Sequence, residues 1–141
     1  MRHLEDSLGF LIFRTNLELK SAFIKKMKKF DLTPDHWIIL NCLYEKDGIN
    51  QTELAEKTYK DRASLTRILD RMIKKGWIFR KSDPEDGRSL LVYITDQGRN
   101  IKTKAEPYDV ENIQEVTSHM TEEEIYLLKK LIRKLADKEN F

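Results

Sequence analysis

The sequence has one cysteine, three prolines and five glycines in 141 residues, and its apolar runs are only a few residues long. Each shortage excludes something. A single thiol rules out an internal disulfide framework and fits a reducing compartment. Without about 18 consecutive apolar residues there is no candidate for a membrane-spanning helix. The N-terminus, MRHLEDSLGF, has no basic segment followed by an apolar one and no small-residue cleavage site, so it does not read as a secretory signal. The cytoplasm is the expected location, with no membrane partner. His3, His36 and His119 lie far apart and share no ligand spacing with Cys42, so no metal is expected. There is no Gly-rich phosphate loop, nucleophile elbow or paired-Cys motif, so neither catalytic residues nor a cofactor is expected. Net charge is small too, at +2, but it is uneven. Residues 50–104 carry 13 Lys and Arg against 8 Asp and Glu, whereas residues 105–141 carry 5 against 9. A basic middle and an acidic end suggest a polyanion partner for one part and a different role for the other.

What is present in quantity is helix signal. At 100° per residue, Leu4, Leu8, Leu11, Ile12, Leu19, Ala22, Phe23, Met27 and Phe30 share one broad face of a first helix expected over 4–30. Phe10, Phe13, Leu17 and Ile24 make a second stripe nearly opposite. One domain of this length supplies one core, so the second stripe calls for a partner chain. A second helix opens at Thr33 with Pro34 in the first turn, takes a core face from Trp37, Ile38, Leu40, Leu43 and Tyr44, and stops at Lys46-Asp47-Gly48. Cys42 in this run has no evident base or cation beside it and reads as structural. Asn50-Gln51-Thr52-Glu53 has the capping-box pattern for a short helix to about Thr58, and Asp61 caps a third helix that Gly76 ends. Two short helices this close form a helix-turn-helix in outline.

On that third helix Leu65, Ile68, Leu69, Met72 and Ile73 fall on one side, with Ala63, Thr66, Arg67, Asp70, Arg71 and Lys74 on the other. Small residues near its start (Ala63, Ser64, Thr66) let backbone approach a groove wall. Arg62, Arg67, Arg71 and Lys74 supply charges that suit guanine edges or phosphates. Trp77–Lys81 and Leu90–Ile94 are strands by composition, joined by a turn rich in Asp, Pro and Gly. Helix-turn-helix followed by a β-hairpin is the winged arrangement, in which the second helix enters the major groove and the hairpin tip lies over the adjacent minor groove.

Four stretches, LTPDHWIIL (32–40), QTELAEKT (51–58), SLTRILDRMIKKGWIFR (64–80) and DPEDGRSLLVYITDQG (83–98), resemble the MarR family of bacterial and archaeal transcriptional regulators. The last is the most specific: Asp, two residues, Asp, one residue, Arg, then an apolar strand ending in Thr with Gly three residues on. The resemblance implies a mainly α fold with a small β-hairpin (α+β). Residues 33–95 would form the DNA-binding lobe, with 1–32 and 96–141 as dimerisation helices of the same continuous domain. It implies that Ser64, Thr66 and Arg67 read bases beside Ala63, and that Arg62, Arg71 and Lys74 make further base or phosphate contacts. Arg88 would probe the minor groove, with Asp86 holding it or bracing the wing.

A fifth helix capped by Thr95 carries Ile101, Ala105, Tyr108, Ile113 and Val116, with Pro107 expected to kink or break it. A last one opens with a Thr121/Glu124 capping box and carries Ile125, Leu128, Leu131, Ile132 and Leu135. These helices could interlock with a second chain, in line with the family's homodimer on a pseudo-palindromic operator in double-stranded DNA, most simply as a repressor. Family members often release DNA on binding a small aromatic or phenolic effector, and Phe10, Phe13, Trp37 and Tyr44 are the candidate pocket residues. Others respond through a first-helix cysteine, which this chain lacks. The competing class is a winged-helix interaction adaptor without DNA readout, which would show none of a DNA binder's steep salt dependence.

Overall fold

The structure, a computed structural model, describes residues 3–137; residues 1–2 and 138–141 of the terminal segments lie outside it. Six α-helices surround a small sheet: α1 (Leu8–Lys26), α2 (Pro34–Glu45), β1 (Ile49–Asn50), α3 (Gln51–Lys57), α4 (Arg62–Lys74), β2 (Ile78–Ser82), β3 (Leu90–Ile94), α5 (Asp96–Val116) and α6 (Glu122–Leu135). The strands run in the order β1-β3-β2, all antiparallel, with Ile49 opposite Val92 and Ile78 opposite Ile94. The expected two-stranded hairpin therefore gains a third strand. At two residues, β1 is too short to show an alternating pattern.

The expected continuous first helix is divided. A 3₁₀ turn covers Leu4–Asp6, the Ser7 hydroxyl then caps α1 by accepting the Phe10 N–H, and a second 3₁₀ turn at Lys28–Phe30 ends on Asp31 with a left-handed φ of 54°. Its first stripe is buried only near the C-terminal end, at Phe23 and Met27, while Leu4, Leu8, Ile12 and Leu19 remain exposed.

Caps chosen by short polar side chains hold as expected. Thr33, Asn50, Asp61, Thr95 and Thr121 each accept backbone N–H groups of the helix they precede. At Asn50 the box is only half made, because Glu53 turns to Lys46 at 2.9 Å instead of reaching back. At Thr33 it is completed by His36, whose Nδ1 accepts the Thr33 N–H at 3.2 Å. The core face of α2 is rotated from expectation. Ile39, Leu40 and Leu43 are fully buried, Trp37 is half-buried, and Ile38 and Tyr44 are 48% and 50% exposed.

Asp47 ties its own turn to β3 and α5, accepting from Gly48 N–H and Ile94 N–H through Oδ1 and from Arg99 through Oδ2. Gly98 brings the first turn of α5 onto β2 so closely that a Cβ there would lie 2.2 Å from the Trp77 carbonyl oxygen. Pro107 does not break α5, which runs on to Val116. Pro107 and Thr103, whose carbonyl loses its donor, are both exposed, so water can complete that bond. α6 buries none of its residues: Leu127, Leu128, Leu131, Ile132 and Leu135 are all exposed.

Candidate nucleic-acid interface

Burial of Leu65, Leu69 and Met72 against the core fixes the rotation of α4, so Arg62, Ala63, Arg67, Asp70, Arg71 and Lys74 face solvent. The N-cap Asp61 sits just after Tyr59, which takes a left-handed φ of 55°. One carboxylate oxygen of Asp61 accepts the Ser64 N–H at 2.8 Å and the other the Ser64 hydroxyl at 2.9 Å. These two bonds, then the Arg67 charge, hold the Asp61 carboxyl below its usual range. Arg67 Nη2 in turn donates to Ser64 Oγ at 3.2 Å. Thr66 uses its hydroxyl proton on the Arg62 carbonyl at 2.8 Å and accepts from Gln51 Nε2 of α3 at 3.1 Å.

The β2–β3 loop is built by its aspartates. Glu85 N–H donates to Asp83 Oδ1, Arg88 N–H to Asp86 Oδ1 at 3.1 Å, and the Ser89 hydroxyl to Asp86 Oδ2 at 3.1 Å. Asp86 thus holds the backbone of Arg88, and its two oxygens are taken within the loop. The brace between the β2–β3 hairpin and α4 comes from another pair, Arg80 of β2 and Asp70 of α4, at 2.6 Å. Arg88 stands exposed at the tip, where it shares a crevice of about 300 Å³ with Arg62, Gln51 and Thr66. In that crevice Gln51 Oε1 is buried with no hydrogen-bond partner. Asp61 and Gln51 were not among the expected site residues. Asp61 was legible only as a cap, and Gln51 only as part of a capping pattern.

A second cavity, of about 530 Å³, lies between α1, α2, α4 and α5. Phe23, Trp37, Ile38 and Ile113 give it apolar walls, with Lys20, His36, Arg71 and Asn112 as polar groups. Of the expected pocket residues only Trp37 lines it. Phe10 and Phe13 sit nearer the N-terminal end of α1, and the Tyr44 ring lies 4.3 Å from the Lys102 ammonium. Burial lowers the His36 pKa, Lys75 adding to the effect and Asp31 and Asp35 opposing it. It pushes the Asp109 carboxyl up against the opposing Trp37 hydrogen bond. Cys42 is buried, and burial raises its thiol pKa, which keeps it in the unreactive form at neutral pH. Among the described residues no group of three or more His, Cys, Asp or Glu could hold a metal ion, and no helix is long and apolar enough to cross a membrane.

Residues 32–90 match the family model described as MarR family. The chain is 32% identical over 102 residues to the organic hydroperoxide resistance transcriptional regulator of Bacillus subtilis (strain 168), covering 72% of this chain and 69% of the relative. It is 31% identical over 100 residues to the HTH-type transcriptional regulator SarZ of Staphylococcus haemolyticus, covering 71% and 68%. Among solved structures, a mutant MarR from E. coli complexed with operator DNA superposes with a TM-score of 0.87 at 29% identity, covering 92% of this chain and 93% of that one. The transcriptional repressor CouR bound to a 23-mer DNA duplex gives 0.90 at 25% identity, covering 94% of each chain.

Proposed function

The chain belongs to the MarR family of transcriptional regulators, not to a class of enzymes, and we propose that it is a homodimeric repressor of a pseudo-palindromic operator. Residues 33–95 form the DNA-binding lobe in this reading, and 1–32 with 96–141 supply the dimer helices. α4 enters the major groove, Arg62, Arg71 and Lys74 meet bases or phosphates, and Arg88 enters the minor groove. The observation that carries it is a contrast in pairing. Among the described residues Arg62, Arg67, Arg71, Lys74 and Arg88 form no ion pair with a carboxylate, whereas Lys46, Lys57, Lys60 and Lys75 nearby are all paired. Unneutralised cations lined along a helix and a hairpin tip are what a polyphosphate partner requires. Two further features support the rest of the reading. The apolar faces of α1 and α6 need a second chain, and the operator complexes of the solved relatives supply the DNA precedent.

A small aromatic or phenolic effector would occupy the larger cavity, where Arg71 of α4 lines the wall together with residues of α1 and α5. Filling it would alter the pose of the recognition helix relative to the dimer helices. Duplexes selected from a random pool and titrated by fluorescence anisotropy test the whole reading. Affinity should fall linearly in log salt, and Arg88→Ala should weaken binding about tenfold, most at A·T-rich flanks where the minor groove narrows. No duplex binding at modest salt would replace the regulator with the adaptor, and release by members of a panel of aromatic acids tests the effector.

A further inference from the structure

On the first turns of α4 the Ser64 and Thr66 hydroxyls and the Arg67 guanidinium make hydrogen bonds that are not equal. Ser64 gives its one hydroxyl proton to Asp61 Oδ2 at 2.9 Å and receives Arg67 Nη2 at 3.2 Å. Thr66 gives its proton to the Arg62 carbonyl at 2.8 Å and receives Gln51 Nε2 at 3.1 Å. Neither hydroxyl retains a proton to donate to guanine O6 or N7, adenine N7 or thymine O4. Arg67 is different: a guanidinium carries five N–H donors, and only one is engaged here.

The family resemblance already assigns base reading to Arg67, and we infer that Asp61 and Ser64 are its positioning residues, aiming the guanidinium through a hydrogen-bond chain instead of touching DNA themselves. The inference rests on the DNA-binding reading above and narrows it. The chain follows helical geometry, since Asp61, Ser64 and Arg67 are three residues apart and so lie along one side of the helix. It also accounts for an acidic group at a surface meant for phosphates. Among the described residues every other α-helix is capped by Ser, Thr or Asn, and only α4 by a carboxylate. A cap alone needs one acceptor, which Asn or Ser supplies without charge. The two carboxylate oxygens divide the contacts here, one holding the Ser64 N–H and the other the Ser64 hydroxyl. With the hydroxyl proton turned toward Asp61, a lone pair of Ser64 Oγ faces Arg67. A long side chain that would otherwise sample many rotamers then meets the groove partly ordered, and its remaining donors match guanine O6 and N7.

The decisive variant is Asp61→Asn. It keeps a cap of equal quality, but its amide nitrogen donates to Ser64 Oγ, so the hydroxyl proton loses the acceptor that turns it away from Arg67. Base preference at every operator position is measured by selection from random duplexes, nonspecific affinity by anisotropy at fixed salt, and folding by the thermal midpoint. Asp61→Asn and Ser64→Ala should each lose about tenfold in discrimination for guanine at the one position per half-site that Arg67→Ala also loses. Other positions and the midpoint should stay as in the wild type, and nonspecific affinity should hold or rise as a negative charge is removed. In the Arg67→Ala background Asp61→Asn should change no preference. If Arg67→Ala relaxes one position but Asp61→Asn does not, or if Asp61→Asn acts equally without Arg67, Asp61 is only a cap and the inference falls. If Arg67→Ala loses affinity uniformly across sequences, base reading by Arg67 fails and the inference fails with it.

Discussion

The lobe around the sheet and the two end helices treat apolar side chains in opposite ways. In the lobe Ile39, Leu40, Leu43, Leu54, Leu65, Leu69, Met72 and Val92 are fully removed from water within one chain. In α6 Leu127, Leu128, Leu131, Ile132 and Leu135 are all exposed, and α1 leaves Leu8, Ile12, Phe13 and Leu17 in the same state. At about 25 cal/mol per Å² of apolar surface, leaving such faces hydrated forfeits much of what these residues could contribute to folding. The lobe therefore closes a core around the sheet, to which Phe23, Met27, Leu32 and Ala105 from the flanking segments also contribute. The end helices leave apolar faces uncovered, which the proposed second copy of the chain would bury.

A substitution that poisons the shared half should have the largest effect. Leu131→Asp would place an unpaired carboxylate in the proposed dimer core, at a cost of several kcal/mol, so the dimer dissociation constant should rise at least about a hundredfold. Sedimentation velocity across a concentration series measures it, and operator affinity should drop with the loss of the second half-site contact. A variant that stays dimeric at the wild-type concentrations would place the interface elsewhere and dissolve the contrast.

The complementary change lies in the lobe. Leu69→Ala should cost about 3 kcal/mol of unfolding free energy from a cavity in a closed core, with the self-association constant of the folded chain nearly unchanged. A urea titration at several protein concentrations separates the two, and a loss confined to low concentration would mean that Leu69 acts through the dimer.

The same division explains how much could be read in advance. Helices whose apolar residues face their own chain, such as α4, and helices opened by a strong cap were legible, because periodicity and capping are local. The α2 face was not: Trp37, Ile38 and Tyr44 are as apolar as Ile39, and only tertiary packing decides that Ile39 goes inside. The division of the first helix was hidden for a related reason, since the chain rewards a Ser7 cap that the long apolar pattern disguises. In the candidate interface the charges of Arg67 and Arg88 were visible, but hydrogen-bond partners were not. Asp86 proved to bind its own loop, while Asp70 with Arg80 and Asp61 with Ser64 took the bracing and aiming contacts.

Where the two regions meet, His36 supplies the smallest and most diagnostic effect. It caps α2 through Nδ1, lines the larger cavity, and packs its ring edge-on to Trp77 at 5.5 Å. Burial lowers its pKa beneath the ordinary 6.5, with the Lys75 charge adding to the shift and Asp31 and Asp35 opposing it. In the unfolded chain the imidazole takes up its proton first, so the stabilising effect of a neutral His36 is present above about pH 6.5 and is lost as pH falls below that value through the lower pKa of the folded state. One proton bounds the slope at about 1.4 kcal/mol per pH unit. His36→Gln retains an acceptor for the Thr33 N–H, as Gln does in a capping box, and cannot titrate. Unfolding free energies between about pH 7 and pH 5 should therefore fall less steeply in His36→Gln than in the wild type. Equal slopes would show that protonation of His36 does not loosen the start of α2. The junction would then respond to acid through other groups, and the lobe and end helices would be coupled by packing alone.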